Sequence, residues 1–198
     1  MTARPMAFVP MLLAALTTLA SANTPDTRFS TIDDIVVGGP LGIPIGGSPA
    51  GYDVVIRDLN LAPVPGVFVT LRFPAAMKVY ATQNAGTSVD CAQRTLTRIT
   101  DTEGHVNFAA RLGGWTNSGQ IEVSANGVVL GNVKGRSVDY NADGQVSLGD
   151  FVTFSEDFMN DPQAQRSDFD LSGTTGLGDL VLFSRTFLAS GPPQATCP

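Results

Sequence analysis

The sequence predicts two modules, an all-β sandwich followed by a small α-helical pair. Residues 52–135 alternate short apolar runs with turn signals and show no convincing helix. Residues 139–150, DYNADGQVSLGD, and 168–179, DFDLSGTTGLGD, write one acidic, glycine-punctuated phrase twice. Each copy leads into a run whose apolar residues recur at helical spacing.

The chain begins MTARPMAFVPMLLAALTTLASA, a basic residue and an apolar run ending at Ala20, Ser21 and Ala22. That order predicts a secretory signal peptide over residues 1–22 and a secreted, extracellular or cell-surface product. A membrane anchor is the competing reading, and Pro10 and the short apolar length oppose it. Residues 23–51 form a Pro/Gly-rich leader, whose stretch GGPLGIPIGGSPAG (38–51) reads as a leader segment or an irregular first strand.

The β module is read from the runs 52–59, 66–73, 95–100, 105–112, 120–125 and 128–133. Asn126 and Gly127 are a strong hairpin-turn signal, and residues 101–104 form a second expected turn. Six or seven short strands in about 85 residues predict a β-sandwich. The succession VVIRDLNLAPVPGVFVTLRF, followed by TDTEGHVNFAA, resembles the bacterial immunoglobulin-like modules of secreted and surface proteins. The resemblance covers about residues 52–135 and implies an immunoglobulin-like sandwich. Residues 134–137 read as a very short linker that keeps the two modules close.

At an offset of 29, residues 139–158 and 168–187 agree at nine of twenty positions, which marks an internal duplication. Calcium takes six to eight oxygens, and a 12-residue loop supplies them from positions 1, 3, 5, 7, 9 and 12. The first loop offers Asp139, Asn141, Asp143, Gln145, Ser147 and Asp150; the second offers Asp168, Asp170, Ser172, Thr174 and Asp179, with Gly176 where water would bridge. Gly144 and Gly173 stand at position 6, where the chain must bend sharply. Each loop carries three carboxylates. Solvated Asp/Gly turns are the alternative reading, which two copies in register disfavour. Beyond the loops, Phe151, Phe154 and Phe158, and Leu180, Phe183 and Phe187, each line one face of a helix.

This arrangement resembles the dockerin family, in its type I-like pattern of tandem EF-hand-like loops with Asp at position 12 and no entering helix. The resemblance covers about residues 137–189, leaving 190–198 as a tail. It implies two bound Ca2+ ions and docking of a cohesin-like domain on another extracellular protein. That docking would use helix faces and loop positions 10 and 11, here Leu148 and Gly149, Leu177 and Gly178. Thr175 departs from the aliphatic residue usual at position 8.

Charge placement agrees with a cation site. Residues 139–198 hold nine acids and two bases, a net of −7, whereas residues 23–138 balance nine against nine. Nucleic acid is excluded as a partner by that sign, and no later segment could span a membrane. Pairing Cys91 with Cys197 would close a loop of roughly 100 residues, worth up to about 4.7 kcal/mol, and tether the tail; two free or intermolecular thiols are the alternative.

No nucleophile elbow, phosphate loop or zinc spacing is present, and His105 is a lone strand histidine, so no enzyme is expected. A noncatalytic assembly or attachment component is the leading expectation. A structural or adhesive protein stabilised by its ions is the second. The third is a carbohydrate-binding accessory protein, which needs an aromatic platform at Trp115.

Overall fold

The computed structural model describes residues 23–42, 51–189 and 191–197. The expected signal peptide at 1–22 and residues 43–50 of the leader lie outside the described residues. Eleven strands come first: β1 (Thr31–Ile32), β2 (Ile35–Gly38), β3 (Tyr52–Val55), β4 (Phe68–Arg72), β5 (Met77–Val79), β6 (Ser88–Asp90), β7 (Thr95–Ile99), β8 (His105–Phe108), β9 (Leu112–Gly114), β10 (Thr116–Ala125) and β11 (Val128–Ser137). Two helices follow, α1 (Leu148–Asn160) and α2 (Leu177–Ala189).

Alternation decides which residues enter the core. In β4 the side chains of Val69 and Leu71 are fully buried while Phe68 points outward, and in β10 Ile121, Val123 and Ala125 face inward. The strands form a six-stranded sheet in the order β2-β11-β10-β4-β7-β6, a three-stranded sheet β1-β3-β8 and a two-stranded pair β5-β9. Their inward residues, among them Val36, Val54, Leu71, Met77, Leu96 and Phe108, meet in one core.

Both expected turns are present. Asn126 and Gly127 have φ of 48° and 82°, and Ala125 pairs with Val128 across them, as a two-residue hairpin turn requires. In the second turn the Gly104 amide donates to the Asp101 carbonyl at 3.1 Å, and the Asp101 carboxylate accepts the amides of Glu103 and His105.

Five strands go beyond the sequence reading: β1, β2, β5, β6 and β9. Each has four residues or fewer, too short to display an alternation of its own. Two of them, β1 and β2, arise within the stretch read as a leader. Residues 134–137, read as a linker, are instead the end of β11, and all four pair in parallel with β2. Their composition is poor for a strand, and the ladder supplied by the distant residues 35–38 overrides it.

Of the faces that periodicity assigned, the central rings Phe154 and Phe183 are buried, and α2 buries Leu182 and Thr186 beside Phe183. Phe154 of α1 and Phe183 of α2 stack with ring centroids 5.1 Å apart, and Phe169, Val138, Val146 and Leu182 complete the cluster. Phe158, Leu180 and Phe187 lie at its margin, while Phe151 is 41% exposed. Val37 of β2 packs against the same cluster, so the sheet domain helps to enclose the helical core.

Cys91 and Cys197 form a disulfide, with S–S 2.05 Å and Cα–Cα 4.9 Å. The tail returns from α2 to the sheet domain, where Cys197 donates to the Val79 carbonyl and Ala81 donates to that of Ala195. Among the described residues, no helix is long and apolar enough to cross a membrane.

Truncating the central ring tests this packing. Phe154→Ala should destabilise the protein by about 3–5 kcal/mol, whereas Met159→Ala, at a residue 73% exposed, should change little; chemical unfolding of both variants provides the measurement.

Candidate metal centre

The two acidic loops share one backbone design. Position 4 has a left-handed residue in each, Ala142 with φ 57° and Leu171 with φ 60°, and position 6 has Gly144 at 93° and Gly173 at 92°. Only glycine adopts the second conformation without strain. At Gly144 a Cβ would also stand 2.4 Å from the Gln194 carbonyl oxygen, because the tail lies against this loop.

Side-chain hydrogen bonds repeat at the same offset. The position 1 carboxylate accepts the position 6 amide, Gly144 N to Asp139 Oδ2 at 3.0 Å and Gly173 N to Asp168 Oδ2 at 3.1 Å. The position 3 side chain accepts the position 5 amide, Asp143 N to Asn141 and Ser172 N to Asp170, both at 3.0 Å. At position 12, Asp150 accepts the amides of Tyr140 and Ser147, and Asp179 accepts those of Phe169 and Gly176. These bonds aim both carboxylates back across their loops and place them at the first turns of α1 and α2, where negative charge is favoured.

The second loop gathers its acids. Ligand oxygens of Asp168, Asp170 and Asp179 lie within 4.8 Å of one another. Asp168 is 5% exposed, and its Oδ1 has no hydrogen-bond partner. A buried carboxylate oxygen left without a donor is costly, and a hard cation meets that need. The donor set is all oxygen, which suits calcium rather than zinc. Ser172 and Thr174 are exposed beside the cluster, and the Ser172 hydroxyl donates to the Thr174 carbonyl at 3.1 Å. The close fit extends to Gly178, where a Cβ would meet Asp170 Oδ2 at 2.1 Å.

The first loop has the same backbone but does not bring three acids together, and Asp168, Asp170 and Asp179 are the one such cluster among the described residues. Asp139 is fully buried and accepts a hydrogen bond from the Tyr80 hydroxyl. Asp143, exposed, takes the Asn141 side-chain amide at 2.9 Å, and the Gln145 side chain donates outward to the Gly191 carbonyl at 3.2 Å. Its acids stand at positions 1, 5 and 12 rather than 1, 3 and 12. The spacing predicts two sites of comparable charge with somewhat poorer geometry in the second loop; the structure reverses that order, with one preformed three-acid cluster, in the second loop.

Two contacts escaped the sequence reading. Arg136 of β11, 4% exposed, donates to the Asp168 carbonyl and pairs with Asp168 Oδ2 at 3.2 Å. Tyr80 follows β5 and reaches Asp139 across 59 residues. No local signal marks either residue, since each owes its place to strand pairing. Thr175, the odd residue at position 8, is buried and donates through its hydroxyl to the Ala164 carbonyl at 3.0 Å. His105 lies between Asp53, at 2.9 Å, and Asp101, at 3.8 Å.

Burial dominates the electrostatics. It pushes the Asp139 carboxyl up from 3.8 to about 6, the Asp143 and Asp150 charges add to the rise, and the Tyr80 and Gly144 donors oppose it. Asp179 is raised too, again chiefly by burial. A carboxyl raised on folding adds stability below its unfolded value, and that stability is lost as pH climbs through the folded value. In chelator, the melting temperature should therefore fall between about pH 4 and 6, and a cation held by the ionised carboxylates should reverse the trend; thermal melts across that window, with and without calcium, check both signs. Comparison with protein families, with curated proteins and with solved structures found no match for this chain.

Proposed function

We propose that residues 137–189 form a dockerin-like calcium module that attaches a secreted, noncatalytic protein to an extracellular partner. The observation that carries this reading is the repeated loop design, in which left-handed positions, glycine bends and carboxylate-to-amide bonds recur at the same offset. In that reading both loops hold Ca2+. The second loop, with its orphaned Asp168 oxygen, is the better prepared. Residues 52–135 are then an immunoglobulin-like sandwich that carries the module.

The outer surface of the helical pair suits a protein partner. Leu148 and Leu177, at loop position 10, are 71% and 72% exposed. Between the helices lies an apolar groove of about 280 Å³, lined by Leu148, Phe151, Phe183, Ser184, Phe187 and Leu188. A cohesin-like domain covering these residues would bury surface that otherwise faces water.

Calorimetric titration of the full chain should show calcium binding, and Asp168→Ala should weaken the second-loop step at least about tenfold. Immobilised full chain should capture a partner from secreted and surface proteins in calcium and release it in chelator. Calcium binding with no calcium-dependent capture would favour the ion-stabilised structural or adhesive protein.

One observation favours a second reading, carbohydrate binding. Trp115, partly exposed, lines a cleft of about 490 Å³ with Asn117, Asp157, Asp161, Gln163 and Arg166. Aromatic surface beside amides and carboxylates suits a sugar's apolar faces and hydroxyls. Trp115 is the single tryptophan, so its fluorescence reports on the cleft directly. A saturable change on adding neutral hexaoses would support this reading, and an unchanged spectrum across the panel would remove it.

A further inference from the structure

We infer that the sheet domain completes both acidic loops, with Tyr80 and Arg136 as positioning residues for the first ligand of each. This inference rests on the calcium reading above and adds the residues that set the affinity of each loop. The two contacts are equivalent in role. Tyr80 donates its hydroxyl to Asp139 Oδ2, and Arg136 pairs with Asp168 Oδ2 while also binding the Asp168 carbonyl. In each case a buried side chain of the sheet domain reaches the position 1 aspartate of one loop.

The arrangement leaves a defined part of each carboxylate for a ligand. At Asp168, Oδ2 is taken by Arg136 and the Gly173 amide, and Oδ1 has no partner. Arg136 thereby restrains the rotation of the carboxylate, which leaves Oδ1 unpaired in a residue that contributes an oxygen to the cluster with Asp170 and Asp179. At Asp139, Oδ2 is taken by Tyr80 and the Gly144 amide, and Oδ1 has only a longer contact of 3.3 Å with the Asp143 amide. Oδ2 is doubly tied in both loops, while Oδ1 is weakly bonded in the first and unpaired in the second.

The donors are placed by elements outside the loops. The backbone beside Tyr80 is held on both sides: its amide binds the Arg111 carbonyl at 3.2 Å and its carbonyl accepts the Gln83 side chain at 2.8 Å. Tyr80 also bridges to Thr196 of the tail. Arg136 is fixed by the pairing of β11 with β2, in register with Val37. The Gly114 amide binds the Asp139 carbonyl at 2.7 Å, which anchors the first loop to β9 as well. Outer groups that orient ligands in this way commonly change metal affinity by about 10–100-fold when removed.

The test is calcium affinity, resolved by site, in the full chain. Tyr80→Phe keeps the buried ring and deletes one donor, and Arg136→Lys keeps the charge and deletes the rigid planar guanidinium whose Nη1 meets both the Asp168 carbonyl and Oδ2. Tyr80→Phe should weaken one binding step by about tenfold or more and spare the other, and Arg136→Lys should do the converse. The calcium-dependent rise in melting temperature should shrink in both, while the melting temperature in chelator shifts less. A merely structural role would lower both melting temperatures equally and leave the affinities alone. Affinities within about twofold of the wild type, or tighter, would overturn the inference. A wild-type chain that binds no calcium would instead overturn the calcium reading itself, so the two failures are distinguishable.

Discussion

Two buried aspartates, Asp139 and Asp168, set the constraint around which the C-terminal half is organised. Removing a carboxylate from water costs several kcal/mol unless donors or a cation replace the lost hydration. Each loop meets part of that cost with backbone amides, which explains the left-handed turns at positions 4 and 6 that bring those amides round. The sheet domain supplies the next donor, a phenol for Asp139 and a guanidinium for Asp168. What remains unmatched is one oxygen of Asp168, a residue of the acidic cluster.

From this constraint follows the close union of the two halves. A donor can serve a buried carboxylate only if its backbone is held in place, so the segment after β5 that carries Tyr80 and the end of β11 that carries Arg136 have to meet the loops at fixed geometry. β11 achieves this by running to Ser137, two residues before Asp139, and by pairing with β2 along the way. Val37 then seals one side of the aromatic cluster of Phe154, Phe169 and Phe183. The tail covers the other approach, with Gln194 against Gly144. Sheet, loops and helices therefore share one set of contacts.

How much of this was legible depended on sequence distance. The duplication, the glycines at position 6, the hairpin at Asn126 and Gly127 and the central rings Phe154 and Phe183 are local, and each was readable from spacing alone, whereas Phe151 is exposed and Leu182 takes a core place that the spacing did not assign. The short strands β5 and β6 were not, because three residues carry no period. The strand character of residues 134–137 was hidden because Lys134, Gly135 and Arg136 favour no strand until residues 35–38 pair with them. Cysteine parity allowed the Cys91 and Cys197 bond without choosing it. Least visible were Tyr80 and Arg136, ordinary residues in the string that matter through their folded positions. The unequal gathering of acids has a distant cause and a local one: Tyr80 reaches Asp139 across 59 residues, while Asn141 stands at position 3 where the second loop has Asp170 and bonds Asp143 two residues on.

The disulfide gives the helical pair a mechanical property. Because Cys197 is bonded to Cys91, the helices are joined to the sheet domain at both ends, through β11 at one and the sulfur bridge at the other. A pull on α1 or α2 is thus divided between two covalent routes, and the pair cannot be peeled away from one end as a singly tethered module can. Separating the pair from the sheet would therefore require the sheet–loop contacts, Tyr80 to Asp139 and Arg136 to Asp168 among them, to give way together rather than one after another.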